Sequence, residues 1–116
     1  MVARLTKPGQ NIIADLTPQS ADLLHVSSKL VIEAAELADP IAKYAYYTKP
    51  LRDAEMENIV EELGDMEFYM ERIRSLLGIT REITLQANIA KLEHKRYKDG
   101  YSNDAAIKRA DKDDGQ

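Results

Sequence analysis

Residues 53–78, DAEMENIVEELGDMEFYMERIRSLLG, decide the fold. Ile59, Leu63, Met66, Met70, Ile73 and Leu77 recur every three or four positions, which places them along one face of an α-helix. Asp53 is a favoured N-cap residue type, and Gly78 is suited to the left-handed conformation that ends many helices. The stretch reads as the longest helix of the chain, about 24 residues or roughly 36 Å.

Working towards the N-terminus, KYAYYTKPL (residues 43–51) reads as the end of a helical arm and a loop, closed by Lys49-Pro50. That arm begins at Thr17-Pro18, an N-cap followed by proline at the first helical position. Leu23, Val26, Leu30, Ala34 and Leu37, flanked by Leu24, Val31, Ala35 and Ala38, give it a wide apolar face. Pro40 has no N–H for the carbonyl of Glu36 and crowds that turn, which predicts a kink or a break at Asp39-Pro40. Residues 1–16 show no sustained period, and Pro8-Gly9 reads as a turn.

Towards the C-terminus, Thr80 caps a helix to about Tyr97, with Ile83, Ala87, Ala90 and His94 along one side. Asp99-Gly100 is a turn signal, Ser102 caps a short helix through about Arg109, and residues 111–116 read as a frayed tail. The fold class is all-α: one domain over residues 1–116, with about three long helices and a short C-terminal one.

The chain has 116 residues, 44% hydrophobic and 31% charged, a composition that folds. With no cysteine, disulfides and thiolate metal sites are excluded, so a bound metal would be a hard ion held by oxygens. The net charge of −4 argues against a nucleic-acid polymer as partner, because such binding rests on clustered Lys and Arg. Neither a membrane span nor a secretory leader is legible, so the expected location is the cytoplasm.

Glu33-x-x-Glu36 and Glu62-x-x-Asp65 place two carboxylates on one face of each long helix. At about 100° per residue, Glu62 lies beside Met66 at the edge of the apolar stripe, whereas Glu61 lies outside it. Four converging carboxylates repel one another and lose hydration, so they ask for a cation. Mg²⁺ suits them, since it takes oxygen ligands and shares its shell with phosphates. On spacing alone, solvated faces of charged helices are the commoner origin of such patterns. A di-iron bundle needs Glu-x-x-His on two helices, and neither His25 nor His94 follows a Glu at that spacing.

Asn88, Lys91 and Lys95 share a face near a basic helix end that also carries Arg96. They can meet phosphate oxygens or simply offset the helix dipole. Tyr97 and Tyr101 can stack on a base or close an interface, and His25 can line a pocket or be buried.

In order, TPQSADLLH, IEAAELAD, YTKPLRDAEMENIVEELGDMEFYMERI, ANIAKLEHKRY and DGYSNDAAIKRADKD resemble the MazG-like branch of the all-α nucleoside triphosphate pyrophosphatase superfamily. The likeness is nearest to the short stand-alone forms common in phage genomes and covers about residues 17–112. The 25 residues between Glu36 and Glu62 fall within that family's usual gap. The resemblance implies hydrolysis of an NTP or dNTP to monophosphate and pyrophosphate. It further implies two or more Mg²⁺ or Mn²⁺ ions at Glu33, Glu36, Glu62 and Asp65, with Glu36 as a candidate general base. Asn88, Lys91 and either Lys95 or Arg96 match its nucleotide contacts. A homodimer or homotetramer in which helices of two chains form bundles is also implied, and a phage setting suggests a purine dNTP in the host cytoplasm.

Two departures stand out: Ala35 replaces the usual glycine, and Pro40 directly follows the first motif. A non-catalytic nucleotide-binding or interaction module with the same fold is the alternative. The intact acidic pairs speak against it.

Overall fold

A computed structural model describes residues 2–96 together with Asp104 and Ile107. Every regular element among the described residues is a helix and none is a strand, so the chain is all-α. After a single 3-10 turn at Val2–Leu5 come α1 (Gly9–Asp15), α2 (Pro18–Tyr47), α3 (Asp53–Leu77) and α4 (Arg81–Lys91), then a π-helical turn at Leu92–Arg96. The chain divides into two compact units, Met1–Leu77 and Gly78–Gln116.

In the first unit, α2 starts as the sequence predicts. Thr17 Oγ1 accepts from the Ser20 amide at 3.0 Å and Ser20 Oγ accepts from the Thr17 amide at 2.8 Å, a reciprocal capping box with Pro18 at the first helical position. The helix does not break at Pro40. It runs 30 residues to Tyr47, which makes α2, not the 25-residue α3, the longest. Pro40 removes one hydrogen bond, to the Glu36 carbonyl, while the backbone bonds of the other turns and the Asp39–Lys43 ion pair carry the helix past it. Thr48 ends α2 at φ 55°, a left-handed conformation uncommon for a β-branched residue, and its N–H reaches the Lys43 carbonyl.

Asp53 is the first helical residue of α3 rather than its cap, where its charge favours the positive end of the helix dipole. Gly78, at φ 68°, follows the last turn as expected. α2 and α3 are antiparallel, since the Gln19 amide at the start of α2 donates to the Leu76 carbonyl at the end of α3, 2.9 Å away.

The facing seam is narrower than the sequence suggests. On α2 it comprises Leu23, Val26, Leu30, Glu33, Leu37 and Pro40, and on α3 it comprises Glu55, Ile59, Glu62, Met66, Tyr69, Ile73 and Leu76. Both sets follow the alternating three- and four-residue step of paired helices. Leu63 and Leu77 lie outside it and are about half exposed, as is Leu24, while Val31 is 70% exposed. Among the described residues Val26, 6% exposed, is the one buried apolar side chain.

Sequence periodicity also misses α1, where Pro8 stands before a seven-residue helix and Lys7 pairs with Asp15 at 2.7 Å. So short a helix spans barely two turns, too few to show a period.

In the second unit Thr80 caps α4, its Oγ1 accepting from the Ile83 amide at 3.2 Å. The α-helix stops at Lys91 and widens into the π-helical turn, so the expected helix to Tyr97 changes geometry before its end. Asp104 and Ile107 are helical, and the rest of the expected helix at 102–109, like the tail, lies outside the described residues.

Pro40→Ala would restore the missing N–H within α2. A gain of roughly 1–3 kcal/mol is expected, read as a higher urea midpoint with unchanged helical content.

Candidate metal centre

Glu33 and Glu62 occupy seam positions that apolar residues fill elsewhere along α2 and α3. They are 9% and 8% exposed, so neither belongs to a solvated helix face. Asp65 follows Glu62 by one turn and is exposed. One carboxylate oxygen from each of the three lies within 4.8 Å of the others, a group that can hold a metal ion. Among the described residues, no basic side chain pairs with them. Glu62 Oε2 is buried without a hydrogen-bond partner. A buried carboxylate oxygen with neither donor nor cation is costly, and an oxygen-seeking ion would relieve it. Helical phase thus separates Glu62 correctly from Glu61, which is exposed.

Glu36, one turn beyond Glu33, is exposed and outside this three-residue group. It shares with Glu62 the lining of a cavity of about 680 Å³ between the second half of α2, the loop and the first turns of α3. Ile32, Ala35, Pro40 and Pro50 supply its apolar lining, and Asp39, Lys43, Lys49, Glu55 and Asn58 its remaining polar lining. Because α2 is continuous through Pro40, Lys43 stays on the cavity side, paired with Asp39 at 2.8 Å. That pairing holds the Lys43 ammonium above its ordinary value, chiefly through the hydrogen bond it donates to Asp39 and then through the charge of that carboxylate.

The structure therefore gathers Glu33, Glu62 and Asp65, with Glu36 beside Glu62. His25 is exposed on α2 and does not line the cavity. In the second unit, Asn88 is exposed and Lys91 partly buried on α4. Lys95 and Arg96 belong to the π-helical turn, and Tyr97 and Tyr101 lie outside the described residues. Sequence reasoning missed Glu55 and Asn58. Their signal was spacing, since they precede Glu62 by seven and four residues and so share its side of α3.

No protein-family model, curated protein or solved structure matches the chain. What the site can do rests on its own chemistry.

The Glu62 carboxyl is raised from the ordinary 4.5 to about 7. Its largest cause is the Glu33 carboxylate, which a protonated Glu62 can hydrogen-bond, then burial, then the charge of Glu33 and lesser effects of Glu36. Without metal, the folded state keeps this proton to higher pH than the unfolded chain does. Glu62 thus adds stability that is full below about 4.5 and is lost as pH rises through about 7. The thermal midpoint of the metal-free protein should fall across that window, and Glu62→Gln should flatten the fall. Excess Mg²⁺ should raise the midpoint above pH 7 in the unaltered protein and much less in the variant.

Proposed function

We propose that the chain is a metal-dependent nucleoside triphosphate pyrophosphohydrolase, converting an NTP or dNTP and water to the monophosphate and pyrophosphate. The observation that carries this reading is the cluster of buried Glu33 and Glu62 with exposed Asp65, with its unpartnered Glu62 oxygen, set beside a cavity of about 680 Å³. The volume lies within the range of small-molecule sites, and Lys43 and Lys49 bring positive charge to an otherwise acidic lining, as a polyphosphate requires. The ordered likeness to the MazG-like branch supplies the reaction.

Glu33, Glu62 and Asp65 would hold Mg²⁺, or Mn²⁺ in its place, in two or more ions with Glu36 at the rim. Such ions neutralise phosphate oxygens and acidify water. Glu36, exposed and outside the tight cluster, keeps a carboxylate available to take a proton from the attacking water. The water oxygen bonds to the α-phosphorus, the bond from that phosphorus to the bridging oxygen breaks, and pyrophosphate leaves with the electron pair. Lys49 and Lys43 hold the anionic substrate in the cavity. Asn88, Lys91 and Lys95 or Arg96 remain candidates for further nucleotide contacts, as do His25 and Tyr97, and a purine dNTP is the favoured substrate.

A second copy of the chain is part of this reading. A domain of this length needs a substantial core, yet the first unit leaves Leu24, Val31 and Ile41 on α2, and Val60, Leu63 and Phe68 on α3, exposed by 44–70%. A homodimer or homotetramer would cover them.

Pyrophosphate release should appear with Mg²⁺ or Mn²⁺ for at least one of the eight common NTPs and dNTPs. Glu62→Ala or Asp65→Ala should reduce it by roughly 10²–10³-fold. Full activity in both variants would sink the reading, and nucleotide binding without turnover in either metal would mark a binding module instead. Light scattering at micromolar concentration should give twice or four times the chain mass, and a monomer would refute the second copy.

A further inference from the structure

Lys29 is the one lysine of the first unit that is half-buried, whereas Lys7, Lys43 and Lys49 are exposed. It has no hydrogen bond or ion pair among the described residues. Glu33 follows it by four residues, the spacing at which Lys43 does pair with Asp39, and yet no pair forms. The Glu33 carboxylate is engaged by Glu62 instead. A partly buried lysine without a counter-ion thus stands one turn from a carboxylate cluster without a cation, and each is costly alone.

Helical phase and register place Lys29 on the open side of that cluster. At about 100° per residue, Lys29 lies about 40° and Glu36 about 60° to the same side of Glu33, the side on which α2 lines the cavity. On α3, Asp65 and the cavity-lining Asn58 lie about 60° and 40° to the matching side of Glu62. With Gln19 opposite Leu76 and Glu33 opposite Glu62, Lys29 comes level with Met66, the residue after Asp65. Lys29 and Asp65 therefore border the cluster on one face of the hairpin, beyond the end of the cavity that holds Glu36 and Glu62. Lys43 and Lys49 line the cavity's other end. Along α2, Glu33 is about 6 Å from Lys29 and about 15 Å from Lys43 at 1.5 Å per residue.

We infer that Lys29 binds phosphate oxygens at the metal cluster, so that the polyphosphate is gripped there and not only at the far end of the cavity. The inference rests on the metal-dependent polyphosphate reading of this site. Phosphate oxygens held at Glu33, Glu62 and Asp65 share the coordination shell of the ion, and Lys29 is the lysine of the first unit that stands a single turn away. Charge asks for it as well. The four carboxylates, Glu36 included, cancel two divalent ions outright, which leaves the negative charge of a polyphosphate to be met by side chains. An ammonium offers three donors and a compact charge for that purpose.

Calorimetry on the full-length protein, with Mg²⁺ alone and with inorganic pyrophosphate in excess Mg²⁺, tests the assignment. Lys29→Met should weaken pyrophosphate binding by roughly 10- to 100-fold, the size of a hydrogen bond between charged groups. Mg²⁺ alone should bind as well as before or more tightly, because a neighbouring positive charge has gone. Lys29→Arg keeps the charge and should recover pyrophosphate affinity to within about fivefold. Unchanged pyrophosphate affinity in Lys29→Met would overturn the inference. So would a Mg²⁺ affinity that falls in step with it, or an unaltered protein that does not bind pyrophosphate in Mg²⁺. Should Lys29→Met not fold, Lys29→Gln takes its place with the same expected loss. Absence of release from every nucleotide would instead overturn the pyrophosphohydrolase reading, and the binding ratios, which need no turnover, would still decide the role of Lys29.

Discussion

Two carboxylates facing each other across a helix seam set the terms for this molecule. Glu33 and Glu62 take positions that leucine or isoleucine would stabilise, and each gives up hydration there without gaining a basic partner among the described residues. The hairpin of α2 and α3 is therefore weakened at its middle, and the rest of the unit is arranged around that defect. Leu23, Val26 and Leu30 on one helix, with Met66, Tyr69 and Ile73 on the other, carry the apolar contact on one side of it. On the other side the seam opens into the cavity, with Glu55 in place of an apolar residue. A fold selected for stability alone would have filled these positions.

Much of this was legible because helices announce themselves by period and by their ends. Thr17-Pro18, Thr80 and Gly78 act at the termini where their chemistry places them, since capping is decided within three or four residues. Glu62 was separable from Glu61 by helical phase alone. The misreadings came from effects that reach beyond a local window. Pro40 interrupts only one hydrogen bond of a 30-residue helix, and the bonds of the turns before and after it outweigh the local penalty. Leu63 and Leu77 look like seam residues on a wheel, but the partner helix selects Tyr69 and Leu76 instead, because one narrow helix cannot cover the whole apolar arc. Glu55 carries no motif, and only its equivalence to Glu62 seven residues later marks it.

The continuity of α2 through Pro40 also organises the candidate site. One continuous helix carries Glu33 and Glu36, the wall formed by Pro40, and the cation Lys43. α3 carries Glu55, Asn58, Glu62 and Asp65 in the opposite sense, so charge and shape vary along the cavity in a fixed order. Placing such groups on helices rather than loops limits their freedom to drift from a working geometry.

The hydrogen bond from Gln19 to the Leu76 carbonyl looks peripheral, far from any carboxylate. Yet Glu33 lies fourteen residues after Gln19, and Glu62 lies fourteen residues before Leu76. The hairpin thus has two arms of equal length, about 21 Å each, measured from that one bond. Sliding α2 past α3 by a single turn would displace Glu33 from Glu62 by about 5.4 Å and would first have to break it. The bond works as the zero mark of a scale: it marks, at the surface, the sliding position at which the apolar seam brings the two acids opposite each other.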